Sequence, residues 1–256
     1  MTRHRVVAAL LLAAALTACD KNAVQEIAGP APASRIKFFN FGVNAPAVNF
    51  YVDNTKFTAI SSTSGVESTN GVAYGSVGSG GFYAGIAPGT YTVTGRIAAA
   101  TDKDLVIATI PATIADGKSY SVYMSGFYNT TTKTSDGFIV PDDYPAQIDY
   151  TVAYVRFVHG IANANPLTLY ALNTTTSTEV PVGAEISYKG AGAFVSLPGG
   201  VYNLGARYTG VGTNAIARTS VSFVAGRVYS INARGDITVT SGTATNRPFL
   251  DNTAIR

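Results

Sequence analysis

An internal repeat is the feature that most constrains the fold of this 256-residue chain. Residues 36–54 align without a gap onto residues 155–173. Identical residues in this block are Phe38 and Phe157, Asn44 and Asn163, Ala45 and Ala164, Tyr51 and Tyr170, and Asn54 and Asn173. Two further blocks follow in the same order, PGTYTVTGR at 88–96 with PGGVYNLGAR at 198–207, and GKSYSVYMSG at 117–126 with GRVYSINARG at 226–235. Because the gaps between blocks differ, we interpret the chain as two copies of one module, the first with longer loops.

Each repeated block alternates apolar and polar residues with a period of two. In AVNFYVD, Val48, Phe50 and Val52 share one face, and Asn49 and Tyr51 share the other. This alternation is typical of half-buried strands, and Pro-Gly or Asp-Gly pairs before the strands supply tight turns. A chain with 26 Gly, 15 Tyr and 12 Phe has the composition of strands and turns. We therefore predict an all-β fold of two immunoglobulin-like antiparallel β-sandwiches.

The same pattern predicts the domain boundaries. We expect β-sandwich modules at 34–140 and 152–241, joined by a linker at 141–151 that is rich in Pro and Asp. So short a linker would restrict the relative orientation of the modules without fixing it. Residues 242–256 form either a C-terminal tail or a final edge segment.

The N-terminus has the pattern of an export signal. Residues 1–5 are basic, and Val6–Leu16 contain no polar side chain. A short apolar run after a basic start is typical of a secretory signal peptide, because a permanent membrane span needs about 20 residues. The alternative is a short core helix at the N-terminus. We predict a signal peptide at 1–18.

The exit of this segment resembles the lipobox of bacterial lipoproteins. Leu16, Thr17 and Ala18 form the cleavage recognition sequence, and Cys19 would become the new N-terminus. The resemblance implies that the Cys19 thiol carries diacylglycerol and that the amine carries a further acyl chain such as palmitate. Two or more chains anchor a protein stably to a membrane. Residues 19–33 would then be a flexible, lipidated tether.

Other roles for the only cysteine of the chain lack partners in the sequence. A cysteine nucleophile needs a base, and the only histidines are His4, inside the predicted signal, and His159. A structural zinc site needs about four Cys or His ligands, and the chain after the signal has two candidates. We predict lipid attachment for Cys19, with no cofactor and no metal.

The repeated blocks also resemble a known bacterial family. The order of APAVNFYVD, PGTYTV and GKSYSV is similar to the domain of unknown function 4397, often found in tandem on exported proteins. The first copy resembles it more closely, since the second has Asn165 where the first has Pro46 and lacks an acidic residue at Leu172. The resemblance implies an immunoglobulin-like sandwich outside the cytoplasm. It transfers no catalytic or ligand residues.

Few side chains outside the N-terminus are candidates for chemistry. His159 could be a ligand or a base, but its partner in the first copy is Asn40, which favours a polar residue that satisfies backbone groups at a strand end. Asp102 with Asp104, and Asp142 with Asp143, could hold calcium, but the spacing of a calcium loop is missing and solvated turns are favoured. The glycine clusters at 75–81 and 190–192 lack the Lys-Ser/Thr ending of a phosphate loop and are interpreted as bends.

Two tyrosines are the candidates for surface contacts. Tyr51 and Tyr170 occupy the polar face of the same strand in both copies. Outward tyrosines can stack on sugars or on partner proteins. They also cover neighbouring strands, which is the interpretation that we favour.

These patterns together lead to one expected function and two alternatives. Without Arg3 and Arg5 of the predicted signal, 16 Lys and Arg stand against 15 Asp and Glu, so a net charge of about +1 gives no cationic surface for nucleic acid. We expect a non-enzymatic, lipid-anchored protein of the cell envelope, at the outer membrane, that binds or supports a protein or glycan partner. The first alternative is a glycan-binding module accessory to a polysaccharide-processing system. The second is an enzyme that uses Asp142 or Asp143 with Glu185.

Overall fold

Strands account for nearly all regular structure in the computed structural model, which describes residues 32–59 and 70–256. Predictions for the signal peptide at 1–18, for Leu16, Thr17, Ala18 and Cys19, and for the tether up to residue 31 lie outside the described residues. Within those residues, the only helical segment is a 3₁₀ turn at Gly78–Gly81. The all-β prediction is confirmed, and no helix of the described part is long and apolar enough to span a membrane.

The first half of the described chain forms two facing sheets. Its strands are β1 (Ser34–Asn40), β2 (Val48–Val52), β3 (Thr55–Lys56), β4 (Ser76–Val77), β5 (Ala84–Ile86), β6 (Gly89–Ile97), β7 (Val106–Ile114), β8 (Ser119–Asn129) and β9 (Thr134–Pro141). The strand order is β4-β1-β8-β9, with β5 also on β1, in what we name inner sheet 1. It is β3-β2-β6-β7 in outer sheet 1.

The second half has the same strand order. Its strands are β10 (Val152–His159), β11 (Thr168–Asn173), β12 (Glu179–Pro181), β13 (Val195–Pro198), β14 (Gly200–Arg207), β15 (Ile216–Phe223), β16 (Val228–Arg234) and β17 (Phe249–Ala254). Inner sheet 2 has the order β13-β10-β16-β17, and outer sheet 2 has the order β12-β11-β14-β15. The sheet topology of residues 34–141 therefore recurs in residues 152–254.

One strand pair in each half departs from the expected antiparallel arrangement. β1 pairs with β8 in parallel, with Phe38 opposite Val122, and β10 pairs with β16 in parallel, with Phe157 opposite Ile231. Between the two strands of each pair the chain forms strands of the outer sheet. The second strand of the pair can therefore enter the inner sheet in the same direction as the first. Alternation in the sequence identifies a strand and its buried face but does not identify its neighbour.

Each sandwich has its own apolar core. In the first, Phe38 of the inner sheet packs with Val48 and Phe50 of the outer sheet. In the second, Phe157 and Leu169 occupy the corresponding places. The core-facing residues follow the predicted alternation, but β2 is buried on both faces and not half-buried as expected, because Asn49 and Tyr51 on its other face are also covered.

A third apolar cluster lies where the two inner sheets face each other. Phe39, Tyr123 and Phe138 of the first half meet Val158 of the second half there. Phe39 stacks on Tyr123 with ring centroids 4.5 Å apart, and Tyr123 stacks on Phe138 at 4.9 Å. Residues Pro32–Arg256 accordingly cluster as one compact unit. Buried contacts set the orientation of the sandwiches, whereas we had expected a short linker to leave it partly free.

The C-terminal segment contains an edge strand. Residues 249–254 form β17, an edge strand that pairs antiparallel with β16, with Leu250 opposite Ala233. Leu250 is fully buried in the second core. A free tail at 242–256 is therefore wrong for these residues. Its sequence signal is weak because Leu250 is the only residue of the strand that is fully buried.

Candidate functional site

A buried polar cluster between the inner sheets contains side chains that the sequence interpretation did not bring together. Arg156 lies on β10 and forms an ion pair with Asp142, which directly follows β9. The side chains of both residues are almost completely buried, at 1% and 0% exposure. Asp142 also accepts hydrogen bonds from Ser121 at 2.9 Å and from Tyr83. The prediction that Asp142 is a solvated turn carboxylate is wrong, because Arg156 of the second half draws it into the interface.

The interface contacts are reciprocal. Lys37 of the first half donates to the Ala254 carbonyl oxygen at 3.0 Å, and Arg156 of the second half donates to the Pro141 carbonyl oxygen at 2.6 Å. Lys37 and Arg156 are aligned in the repeat, and Pro141 and Ala254 are the equivalent ends of β9 and β17. The Tyr123 hydroxyl donates to Asn232 Oδ1 at 3.0 Å. Equivalent faces thus meet each other, as they do in a twofold-symmetric dimer.

Burial controls the protonation of the cluster. Burial lowers the pKa of Lys37 to about 8, an effect that the Asp142 carboxylate partly offsets and the Arg156 cation reinforces. Burial likewise raises the pKa of Tyr123 to about 12. The pKa of Tyr83 is raised by burial and by the adjacent Asp142 carboxylate. The tyrosines are therefore neutral hydrogen-bond donors near pH 7.

Two charged residues inside buried strands are the sequence signal for this cluster. Lys37 and Arg156 each stand inside a strand whose other residues are almost all buried. A charged residue at the centre of such a strand needs a buried partner, because an isolated charge in an apolar interior is strongly unfavourable. A lysine or arginine in such a strand therefore indicates a buried interface, and the partner residue is visible only in the fold.

The two candidate tyrosines are covered by arginines in an equivalent way. The Arg96 guanidinium lies 4.1 Å from the ring centroid of Tyr51, and Arg207 lies 4.5 Å from that of Tyr170. Tyr51 is 8% exposed, and its hydroxyl donates to Asp104 at 3.0 Å. This geometry agrees with the favoured packing role and leaves Tyr51 little surface for a ligand.

His159 sits at the end of β10 in a local backbone network. Its Nδ1 accepts a hydrogen bond from the Ile161 N–H at 3.2 Å, and Nε2 lies 3.2 Å from the Asn165 carbonyl oxygen. Burial lowers the pKa of His159, so the ring is neutral. Asn40 at the equivalent place accepts from the Gly42 N–H at 3.2 Å. Both side chains therefore satisfy backbone groups at a strand end.

The remaining acidic candidates have separate partners. Asp102 pairs with Lys133 at 2.5 Å, and Asp143 pairs with Lys118 at 3.0 Å. Glu185 accepts a hydrogen bond from Thr209. Within the described residues, no group of three or more His, Cys, Asp or Glu side chains could hold a metal ion.

The glycine clusters lie at equivalent places in the two sandwiches. Val77, inside the first cluster, pairs with Phe39 on β1. Ala191, inside the second cluster, forms an isolated bridge with Val158 on β10. Since Phe39 and Val158 are aligned in the repeat, both clusters bend the chain back beside the first strand of their sandwich.

Comparisons with known proteins find a family match and distant structural likenesses. Among solved structures, the chain is similar to the Bacillus anthracis TIE protein, with 14% sequence identity over 79% of this chain and 33% of that chain and a TM-score of 0.22. The chain spans about a third of that protein's length, and so low a TM-score carries no argument. No curated protein matches the chain.

The family match falls on the second sandwich. Residues 153–255 match the model of a domain of unknown function, DUF4397. We had expected the first half to resemble this family more closely, and the match lies instead in the half with the shorter loops. The matched range includes β17, which agrees with its place in inner sheet 2. The chain therefore contains one DUF4397 domain, formed by residues 153–255.

Proposed function

We propose that this chain is a non-enzymatic, lipid-anchored protein of the cell envelope, whose two sandwiches form a binding or structural body. The observation that carries the proposal is LTAC at residues 16–19, directly after the apolar run Val6–Leu16. Acylation of Cys19 would give at least two chains, which is enough for stable anchoring. A DUF4397 domain in the second half agrees with the exported setting that the family resemblance implies.

The described fold begins at Pro32, shortly after the proposed anchor. A tether over residues 19–33, at roughly 3.3 Å per residue, would place the sandwiches up to about 50 Å from the membrane. We place the anchor in the outer membrane. A rigid body on such a tether can meet partners that are fixed in the envelope.

The arrangement of ionisable groups favours a binding or structural role over a catalytic one. Asp142, the most deeply buried carboxylate of the described residues, is held by Arg156, Ser121 and Tyr83. An acid–base catalyst needs a group that can reach a substrate proton. Asp143 and Glu185 make exposed contacts with Lys118 and Thr209 respectively.

Metabolic labelling tests the anchor. Cells that express the full chain are given radioactive palmitate, and the protein is recovered and compared with the variants Cys19→Ala and Lys21→Ala. We expect label in the natural sequence and in Lys21→Ala, and none in Cys19→Ala. Equal label in natural and Cys19→Ala proteins would show that Cys19 is not the acylation site.

Membrane separation tests the location. The labelled protein should sediment with outer-membrane fractions, and Cys19→Ala should move to the soluble fraction. Because Asp20 resembles an inner-membrane retention signal of enteric bacteria, Asp20→Ser is the matched variant. A shift from inner to outer membrane in Asp20→Ser would contradict our placement of the natural protein.

Glycan binding is a second candidate function. The observation that favours it is a cleft that does not involve Tyr51 or Tyr170. This cleft, at the edge of the second sandwich, contains two arginines, Arg218 and Arg247, and neither forms an ion pair with a carboxylate of the described residues.

A further inference from the structure

A cleft lies at one edge of the second sandwich. It has a volume of about 670 Å³ and is bounded by β15, by the start of β17 and by the connection 237–242. β15 is an edge strand of outer sheet 2, and β17 is an edge strand of inner sheet 2. The cleft therefore lies where the sandwich is open at its side. Its size is within the range of about 300 to 1,000 Å³ that is common for ligand sites.

Two arginines line this cleft and share one aromatic ring. The guanidinium carbons of Arg218 and Arg247 each lie 5.2 Å from the ring centroid of Phe249. Arg218 donates to the Leu250 carbonyl oxygen at 2.6 Å, and Arg247 donates to the Ala244 carbonyl oxygen at 3.1 Å. Each contact engages one amino group and holds the guanidinium in place. Neither guanidinium donates a further hydrogen bond to the described residues, so its other N–H groups can reach a ligand.

The charges around the two arginines leave the cleft cationic. Arg234 also contacts the Phe249 ring at 5.2 Å and is paired with Asp251, whose carboxylate interacts electrostatically with Arg218 as well. Asp236, near the connection, accepts hydrogen bonds from Asn163 and Thr238. In the part of the chain that the structure describes, neither Arg218 nor Arg247 forms an ion pair with a carboxylate.

The rest of the lining suits a hydroxylated ligand. The hydroxyl-bearing residues Thr219 and Thr240 line the cleft together with the small residues Ala217 and Gly242. An arginine fork matches the planar, two-oxygen geometry of a carboxylate and also binds sulfate. A ligand with oxyanions and many hydroxyl groups would therefore use both parts of the lining.

We propose that this cleft binds the oxyanion groups of an acidic polysaccharide. The inference extends the glycan-binding candidate and rests on the proposed envelope location only for the source of the polymer. The Arg218 and Arg247 forks would each accept a carboxylate or a sulfate group, and the threonines would hydrogen-bond the sugar hydroxyls. Acylation of Cys19 is not required for this binding, so the two proposals can fail separately.

Binding assays with defined polymers test the class of ligand. The full chain, purified in detergent, is titrated with polygalacturonate, with dextran sulfate and with neutral dextran. We expect binding to at least one acidic polymer and none to dextran, with affinity that falls as salt rises. The carboxylate and sulfate arms distinguish the two oxyanion sources. Equal binding to dextran, binding to no acidic polymer, or tighter binding to single-stranded DNA would overturn the proposal.

A variant that leaves both arginines in place tests the location of the site. Ala217→Glu adds a carboxylate to the exposed lining of the cleft, where it would pair with the arginines and repel the polymer. Ser222→Glu adds the same charge to an exposed position on the same strand, outside the cleft lining. We expect Ala217→Glu to weaken binding at least tenfold and Ser222→Glu to weaken it less than threefold. An equal loss of affinity in both variants would mean that only the net charge of the protein matters, and the assignment of binding to this cleft would be wrong.

Removal of the arginines is the complementary test. Arg218→Gln with Arg247→Gln should weaken binding at least tenfold, whereas Arg35→Gln with Arg227→Gln, which removes the same charge from two exposed sites outside the cleft, should not. Because Arg218 also contacts β17, thermal unfolding is measured for each variant. If the control pair loses as much affinity as the cleft pair, the assignment of the ligand to this cleft is wrong.

Discussion

At the scale of single residues, neighbours in the sequence have opposite fates in the fold. Asp142 is buried against Arg156, whereas the next residue, Asp143, forms an exposed pair with Lys118. Removal of one partner from a buried pair leaves the other charge without compensation. Exposed pairs contribute little because water and salt screen them. The two aspartates therefore form a matched pair for experiment.

We expect Asp142→Asn to lower the free energy of unfolding by about 3 to 5 kcal/mol. Asp143→Asn makes the same chemical change on the surface and should cost less than about 1 kcal/mol. Denaturant unfolding followed by tyrosine fluorescence measures both values. Similar small losses in both variants would mean that the Arg156 contact does not hold the inner sheets together.

Lys37 should make stability depend on pH above neutrality. Its pKa is about 8 in the fold and 10.5 when unfolded, so the unfolded chain binds more protons between these values. The unfavourable contribution of the buried cation is therefore fully present below pH 8 and is relieved as pH rises toward 10.5. We expect natural protein to gain on the order of 2 kcal/mol relative to Lys37→Met between pH 7.5 and 10.

The measurement for Lys37 is a set of unfolding curves for both proteins across this pH range. Groups that the two proteins share cancel in the difference. Lys56→Met, a lysine outside the inner-sheet interface, serves as the control and should show no such trend. A constant difference between natural protein and Lys37→Met would contradict a lowered pKa for this lysine.

At the scale of strands, the sequence predicts faces well and neighbours poorly. Val48 and Phe50 point into the core as their alternation predicts. Alternation could not reveal that β1 lies parallel to β8, because partner choice depends on the path of the chain between them. It also left β17 ambiguous, because Leu250 is the only fully buried residue of that strand.

Leu250 provides a direct test of β17. Because its side chain is fully buried in the second core, Leu250→Ala should cost about 2 to 5 kcal/mol of unfolding free energy. Val224→Ala, at an apolar residue that is 57% exposed, should cost less than about 0.5 kcal/mol. Equal losses of unfolding free energy in the two variants would mean that residues 249–254 are a tail and not a strand of the sheet.

At the scale of the whole molecule, reciprocal contacts between equivalent faces explain why the two sandwiches form one body. The repeat predicts two sandwiches, and it aligns Lys37 with Arg156 and Phe39 with Val158. What the repeat could not show is that these aligned residues face each other across one interface. A polar strand face in one copy of a repeat can lie in solvent or can pack against the other copy. The sequence of each copy is compatible with either arrangement.

Cutting the linker would separate the effect of covalent connection from that of packing. A protease site inserted after Ala146, at an exposed position of the segment between β9 and β10, should be cleaved without separation of the halves. The fragments should co-elute in size-exclusion chromatography because Phe39, Tyr123 and Val158 remain buried between them. The same cut in Phe39→Asp, which places a charge in that cluster, should release the fragments. Release from the unaltered interface as well would show that the linker, and not the packing of the inner sheets, holds the sandwiches together.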